Sequence, residues 1–357
     1  MRDAFMKSRR DVLRAGVAAL GASLAPHVVA QSPAASGAPT NASSSALTIG
    51  LLRNPVSGLI AVTDQRGWFK EAGCDLSSVL FAGAGGPKVI QAMGGGSIGL
   101  GSVSVTAALL AIAARAPLRI ISISTDPAPV FALLSAPEIE SVPKLAGKRV
   151  ATTAGTGLHY FLARALAKFG MRLSDVEFVN LPVGDAQAAF LAQRVDAVVP
   201  SLNGRYYIQG LRKDTRELFT YDDFTRPPGA TTPFTDYDVF IAPQSVVEAS
   251  GPALRAFLAA YHGRGVPYLR NSATQAAAIA EVTRYVNAEQ KSPADEASMR
   301  QQLLKSGFPD LREVRAILAS DAFRAGIDDQ VKFFVDLKQI PGALPLDQVI
   351  VRTLLPS

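Results

Sequence analysis

The chain of 357 residues contains few of the side chains that build metal centres and covalent active sites. It has one cysteine, Cys74, and three histidines. A single cysteine cannot form an internal disulfide, and the cysteine and histidines do not follow the spacing of a metal site. We therefore expect no metal, no cofactor and no catalytic residues, and we expect Cys74 to be a buried structural thiol rather than a reactive nucleophile.

Dense basic clusters and long hydrophobic runs are also absent after residue 30. The net charge is +6, and half of it lies in residues 1–30, which contain five basic and two acidic residues. No later segment is long and apolar enough to span a membrane, and no helix-turn-helix segment is evident. These absences argue against nucleic acid as a partner and against a transcription factor.

Residues 1–30 have the pattern of a cleaved export signal. The paired Arg9 and Arg10 are followed by Asp-Val-Leu, a weakly apolar run and small residues. This pattern favours a twin-arginine signal, with a general secretory signal or an uncleaved anchor as alternatives. Residues 31–46, rich in Ser, Ala, Pro and Gly, are predicted to be a disordered linker. We expect a monomeric periplasmic protein that is not membrane-spanning after cleavage.

The remaining sequence alternates strand-like and helical runs, which is typical of an α/β fold with mostly parallel strands. About 310 residues exceed one typical domain. The pattern is interrupted near residues 126–143 and 235–243, and we interpret both breaks as crossovers between two lobes. The first lobe is then predicted to contain residues 47–132 and 243–357, and the second residues 133–242.

Two elements of the first lobe bear directly on the expected site. Asn54 and Pro55 are predicted to open a helix that continues to Glu71, since proline suits the first helical turn. Residues 97–101 are predicted to form a strand that ends in a Ser- and Thr-containing loop. In open α/β sheets, ligands bind outside the carboxyl ends of the strands. The loops that follow the strands should therefore face one cleft between the lobes.

The most informative segment is residues 145–160, which read LAGKRVATTAGTGLHY. A short strand runs into a loop of Thr, Gly and Ala that opens a helix. The first turn of a helix has unpaired backbone N–H groups and a positive dipole end. Small residues let a polar or anionic ligand approach those groups. This unit predicts a cradle for a polar ligand.

Similar loops supply the other candidates for ligand contact, although helix capping also explains the serines, the threonines and Asn54. For His159, a packed histidine is the alternative, and Tyr237 lies near the second crossover. Arg205 could pair with a sulfonate or carboxylate, but a solvated arginine is the alternative. The predicted ligand-binding residues are Asn54, Ser57, Gly85, Ser102, Ser104, Thr153, Gly155, Thr156, His159 and Tyr237.

Several motifs resemble one family of binding proteins. They are RGWFKEAG at residues 66–73, QAMGGGSIG at 91–99, LAGKRV at 145–150 with GTGLHY at 155–160, and AAF with VDA between residues 188 and 197. In this order they resemble the periplasmic solute-binding proteins of ABC transporters of the aliphatic sulfonate, taurine and nitrate-binding type. That group lies within the thiamine-pyrimidine synthase-like superfamily.

The resemblance implies a two-lobed, type II periplasmic binding fold with a ligand cleft between the lobes. It implies a receptor that captures a small polar, anionic organic solute such as a sulfonate and works with an ABC permease and its ATPase. A periplasmic sensor without transport is an alternative. A thiamine-pyrimidine-synthase-like enzyme is disfavoured, because that group uses a Cys-rich, His-containing site that this chain cannot supply.

Overall fold

The computed structural model describes residues 46–81, 85–225, 234–288 and 293–356. The predicted export signal and all but the last residue of the predicted linker lie outside these residues. Across the part of the chain that is described, no helix combines the length and apolar character needed to cross a membrane.

The first of two five-stranded sheets has the strand order β2-β1-β3-β10-β4. β1 pairs in parallel with both β2 and β3. β10 lies antiparallel between β3 and β4, so the chain returns to this sheet after building the second one. The strands are β1 (Ala46–Leu51), β2 (Asp75–Leu80), β3 (Leu100–Ser104), β4 (Leu118–Thr125) and β10 (Asp238–Pro243).

The second sheet has the order β7-β6-β8-β5-β9. β6 pairs in parallel with β7 and β8, whereas β5 pairs antiparallel with β8 and β9. Two sheets joined by two crossovers confirm the predicted two-lobed α/β fold. The strands are β5 (Ala132–Ser135), β6 (Arg149–Thr152), β7 (Glu177–Asn180), β8 (Ala197–Val198) and β9 (Arg216–Thr220).

Helices between the strands cover both sheets. Three helices that bear on the site have their N-cap residue at or within four residues of the end of a strand: Asn54 for α1, Ser104 for α4 and Thr156 for α5. The helices are α1 (Pro55–Gln65), α2 (Trp68–Glu71), α3 (Gly86–Gly94), α4 (Val105–Ala113), α5 (Gly157–Ala167), α6 (Val183–Leu191) and α7 (Leu202–Leu211).

The C-terminal region is helical, and it packs against both lobes. A π-helical turn over Tyr261–Gly265 separates its second and third helices. The helices are α8 (Gln244–Ala249), α9 (Gly251–Ala260), α10 (Val266–Arg270), α11 (Gln275–Asn287), α12 (Glu296–Lys305), α13 (Leu311–Ala319), α14 (Asp321–Asp336) and α15 (Leu346–Val349).

α14 connects the second lobe to a crossover. Its Asp329 accepts a hydrogen bond from Tyr160 of α5, and its Gln330 donates to the carbonyl of Thr235 in the second crossover. The apolar residues Ile327, Val331 and Phe334 of α14 are buried in the core. Leu337 is 37% exposed, because it lies at the C-cap after the last turn of α14.

Three boundaries differ from the prediction. The helix that starts at Pro55 ends at Gln65, because Gly67 has a φ of +73° and α2 begins after it. The third strand is Leu100–Ser104 rather than residues 97–101, since Gly96 has a left-handed conformation and the chain straightens only after it. β10 pairs with β3 and β4, so residues 238–242 belong to the first sheet rather than to the second lobe.

Candidate ligand cleft

The carboxyl ends of the central strands meet the described parts of the two crossovers, residues 126–131 and 234–237, at one place. Ser104, at the end of β3, lies opposite Asp238, at the start of β10. The backbone N–H of Val105, in the first turn of α4, donates to the carbonyl of Tyr237 at 2.7 Å. α4 also reaches the second lobe, because a Cβ at Gly155 would lie 3.4 Å from Leu110. This arrangement is the expected position of a ligand between lobes.

The side chains of Asn54 and Ser57 each accept a hydrogen bond from a nearby backbone N–H group. The Asn54 Oδ1 accepts from the backbone N of Ser57 at 2.9 Å. The Ser57 Oγ accepts from the backbone N of Leu52 at 2.9 Å, and the side chain is 3% exposed. These contacts fit the alternative of a helix cap and place Ser57 away from solvent.

The two serines of β3 differ in their availability. The Ser102 Oγ forms a buried hydrogen bond of 2.8 Å with the Ser124 Oγ. The Ser104 Oγ accepts from the backbone N of Ala107 at 3.2 Å and caps α4. Ser104 is partly exposed, whereas Ser102 is buried. Of the two, only Ser104 has a side chain that a solute can reach.

The α5 loop has the predicted conformation, but its hydroxyl groups donate within the loop. The Thr153 Oγ1 donates to the carbonyl of Leu181 at 2.8 Å, and the Thr156 Oγ1 donates to the carbonyl of Thr153 at 2.7 Å. Gly155 has a φ of +69°, which explains the glycine at this position. Thr156 makes no side-chain cap bond to α5. The loop therefore offers hydroxyl acceptors and the free backbone N–H groups of the first turn.

His159 is packed among aromatic rings. Its ring centroid lies 4.9 Å from that of Phe178 and 5.7 Å from that of Phe333. The side chain is 4% exposed, and its Nδ1 accepts from the backbone N of Gly155 at 3.3 Å. Burial lowers the pKa of His159 to about 4, so the ring is neutral at pH 7. The structure thus places this predicted contact in the core, as the alternative interpretation had it.

Arg205 is also unavailable for a solute. Its Nε and Nη2 donate to the two carboxylate oxygens of Glu217 at 2.8 and 2.9 Å. Its Nη1 donates to the carbonyl of Val130 in the first crossover at 2.9 Å, and the side chain is 6% exposed. The guanidinium is thus a structural link between α7, β9 and the crossover.

The remaining two candidates lie at the edges of this region. Gly85 is exposed and forms the N-cap of α3, while residues 82–84 of the same loop lie outside the described residues. Tyr237 is half-buried, with its ring 5.7 Å from that of Phe323. Burial and the negative charge of Asp126 raise the pKa of Tyr237. Tyr237 thus lies beside the crossover, as the sequence predicted.

Three carboxyl groups at the crossovers were not predicted. Asp126 and Asp238 are partly exposed, whereas Asp236 is 1% exposed. Burial raises the pKa of Asp126 to about 6. Burial and the charge of Asp126 raise the pKa of Asp238 to about 7. The sequence contains one hint of these groups, because an aspartate follows a threonine at both breaks, in Thr125-Asp126 and Thr235-Asp236. Within the described part of the chain, no group of acidic, histidine or cysteine side chains has the arrangement of a metal site.

Comparison with known proteins places these features in a family. A profile of the family described as NMT1/THI5 like matches residues 54–276. A protein of Escherichia coli (strain K12) named an aliphatic sulfonates-binding protein is 34% identical over 114 residues, covering 31% of this chain and 36% of that protein. The taurine-binding periplasmic protein of the same organism is 24% identical over 189 residues, covering 52% of this chain and 56% of that protein.

A solved structure extends the likeness to the fold. The periplasmic aliphatic sulphonate binding protein SsuA of Escherichia coli superimposes with a TM-score of 0.68 at 22% sequence identity, covering 87% of this chain and 92% of SsuA. This likeness confirms the two-lobed periplasmic binding fold. In sequence, the chain spans only a third to a little over half of the length of the two curated relatives. Since the family profile matches more than half of the chain, the protein belongs to the NMT1/THI5-like family.

Proposed function

We propose that the protein is the solute-binding component of an ABC importer, located in the periplasm, and that it captures a small polar organic solute by closing its two lobes. The observation that carries this proposal is the meeting of both crossovers with the first turns of α4 and α5. Gly155 of the second lobe lies against Leu110 of the first, so the two lobes are in contact around this region. In this proposal the solute is bound and released unchanged, and no covalent bond of the solute is made or broken.

The chemistry of the region supports binding rather than catalysis. The first turn of α5 presents backbone N–H groups, and Ser104, Thr153 and Thr156 present hydroxyl oxygens. Such groups bind a polar solute well in a cleft that excludes water. The solute must contact the closed arrangement better than the open one, because only a difference in affinity shifts a conformational equilibrium. A permease and its ATPase would then recognise the closed form.

Two relatives have names that refer to aliphatic sulfonates and taurine, and these compounds are the first solutes to test. Export by the twin-arginine route is part of the same proposal and rests on the arginine pair at residues 9 and 10. A signal-peptide fusion to a reporter that folds before export would test the route separately.

A thermal-shift screen tests the proposed function. The panel contains alkanesulfonates, taurine, nitrate, aromatic carboxylates and pyrimidines. A solute at 100 times its Kd adds about 2.7 kcal/mol to the free energy of unfolding, which raises the Tm by roughly 4 °C for a protein of this size. Mass spectrometry of the denatured protein identifies any solute that was already bound.

The screen is repeated with variants that fill the region. Thr156→Phe is expected to abolish the shift, because its side chain would occupy the start of α5. Ser174→Phe is the matched control, since Ser174 is exposed and precedes β7 at the opposite end of the second sheet. No shift with any solute, together with no bound compound in the mass spectrum, would contradict the receptor function.

A further inference from the structure

Asp236 is a buried carboxyl group whose two oxygens have different surroundings. The Gln330 Nε2 donates to the carbonyl of Thr235, which fixes the orientation of the amide. The Gln330 Oε1 must then accept from the Thr106 Oγ1, at 2.8 Å. The Thr106 hydroxyl also donates to the Asp236 Oδ1, at the longer distance of 3.3 Å, so its one hydrogen is shared between two acceptors. Burial and the charge of Asp238 raise the pKa of Asp236 well above its usual value, against the smaller, opposing effect of the hydrogen bond from Thr106.

The other oxygen of Asp236 is an acceptor without a donor among the described residues. A Cβ at Gly157 would lie 1.6 Å from the Asp236 Oδ2, so this oxygen lies directly against the first turn of α5. The side chain is 1% exposed, and its only hydrogen-bond partner in the described part of the chain is Thr106, on the other oxygen. The Asp236 Oδ2 is therefore free to accept a hydrogen bond from an N–H or O–H group of a solute.

Two partly exposed carboxylates lie beside this acceptor. Asp238 pairs with Thr125 across β10 and β4, which places it next to Asp126. The Asp126 Oδ1 accepts one bond of 3.1 Å from the backbone N of Ala128. Burial and the charge of Asp126 are the only influences on the pKa of Asp238 from the described residues, and neither involves a hydrogen bond or a basic side chain.

The surroundings of the two carboxylates contain aromatic side chains instead of cations. Tyr221 and Tyr237 lie close enough to Asp126 that its charge raises the pKa of both hydroxyl groups. Arg205, which extends to the first crossover at Val130, already forms two hydrogen bonds with Glu217. Carboxylates with aromatic neighbours suit an organic cation, whereas a purely anionic group would add like charge.

We propose that the solute bound in this cleft has a protonated nitrogen, which pairs with Asp126 and Asp238 and donates one N–H to the Asp236 Oδ2. This inference rests on the proposed function and specifies the chemistry of its solute. It revises the expectation of an anionic solute, because the part of the solute that contacts the three aspartates is proposed to be positively charged. An additional anionic group on the same solute can still meet the N–H groups of α5.

A panel of matched pairs tests the inference. Each pair contains an amine and the same compound with a hydroxyl group in place of the amine, such as taurine with isethionate and 3-aminopropanesulfonate with 3-hydroxypropanesulfonate. Aminomethylpyrimidines with hydroxymethylpyrimidines and aliphatic amines with alcohols complete it. The purified protein is mixed with the panel and filtered, and retained compounds are identified by mass spectrometry. The expected result is retention of at least one amine, with an affinity by calorimetry at least tenfold above that of its hydroxyl partner.

Charge-neutralising variants locate the contact. Asp238→Asn and Asp126→Asn are each expected to lower the affinity for the retained amine at least tenfold. Asp328→Asn is the matched control, because Asp328 is exposed on α14, and its affinity should equal that of the unmodified protein. Circular dichroism and Tm measurements accompany each variant. If a variant does not fold, the amine and hydroxyl affinities of the unmodified protein still decide the question.

The outcomes separate this inference from the proposed function. Retention of hydroxyl or purely anionic compounds in preference to amines would overturn the inference and leave the receptor function standing. An amine whose affinity is unchanged in both Asp→Asn variants would also overturn it. Retention of no compound would count against both proposals together.

Discussion

The α5 loop and the crossover segment around Asp236 lie against each other, but they differ in how their polar side chains are hydrogen-bonded. In the loop, the hydroxyl groups of Thr153 and Thr156 donate to carbonyl groups of the chain. At the crossover, Asp238 has no polar partner among the described residues and Asp236 leaves one oxygen unpaired. The α5 loop therefore offers a solute mainly backbone N–H groups, whereas the crossovers offer carboxyl groups. In our proposal these carboxyl groups select a solute with a positive charge.

The largest expected effect breaks the contact between these two regions. Gly157→Ala places a Cβ 1.6 Å from the Asp236 Oδ2, and Asp236 is buried and held by Thr106. We expect a loss of about 3 kcal/mol in the free energy of unfolding, typical of overpacking at a site that cannot relax. Urea unfolding measures the loss. Gly184→Ala is the control, because a Cβ there meets no atom within 4 Å.

A double-mutant cycle identifies the cause of that loss. If the clash with the Asp236 carboxyl group is responsible, Gly157→Ala should cost less than about 1 kcal/mol in an Asp236→Ala background, since the obstructing atoms are gone. An equal loss in both backgrounds would show that Gly157 is needed for its backbone conformation alone.

An intermediate effect is expected from removing the hydroxyl that connects the crossover to α14. Thr106→Val keeps the shape of a side chain that is fully buried, but it leaves the Gln330 Oε1 and the Asp236 Oδ1 without their donor. Unpaired buried polar groups cost about 1–3 kcal/mol, so we expect a loss of about 2 kcal/mol by urea unfolding. Thr153→Val, which removes a partly exposed hydroxyl of the loop, should cost less than about 1 kcal/mol. Equal losses would remove the distinction between the regions.

The sequence predicted more of the loop than of the crossovers, for a physical reason. Strand, small residues and helix follow one another within residues 148–169, so local preferences reveal the α5 unit. Asp126 and Asp238 are far apart in sequence and become neighbours only because β10 returns between β3 and β4. Their burial, and hence their altered pKa values, depends on the packing of the C-terminal helices. Local sequence patterns do not predict such contacts between residues that are far apart in sequence.

The strands β5 and β9 are further examples of structure that local sequence patterns do not reveal. β5 is buried at all four positions, so its apolar sequence has no alternation to distinguish a strand from a helix. β9 is an edge strand with a single buried residue, Phe219, and its polar positions resemble a loop. The residues that were predicted well are those whose environment is set by their neighbours in sequence.

The smallest effect at neutral pH is expected from His159→Phe, and its pH dependence is the informative part. His159 is buried with a pKa lowered from 6.5 to about 4, so protons bind the unfolded chain more readily. Its stabilising contribution is therefore complete above pH 6.5 and is lost as the pH falls towards 4. Phenylalanine fits among Phe178, Phe333 and Phe334 without this loss. Urea unfolding should show a change below about 1 kcal/mol at pH 7 and a relative gain of about 2 kcal/mol for the variant at pH 5.

Phe333→Leu serves as the control for that experiment, because it alters the same aromatic packing without a titrating group. Its effect on stability should be the same at pH 5 and pH 7. The affinity of the His159→Phe variant for the solute should equal that of the unmodified protein, since the imidazole faces the core and donates nothing to the cleft. A tenfold loss of affinity would instead mean that the α5 loop contributes a side chain to solute recognition, and the division between a backbone cradle and a charge-selecting crossover would no longer hold.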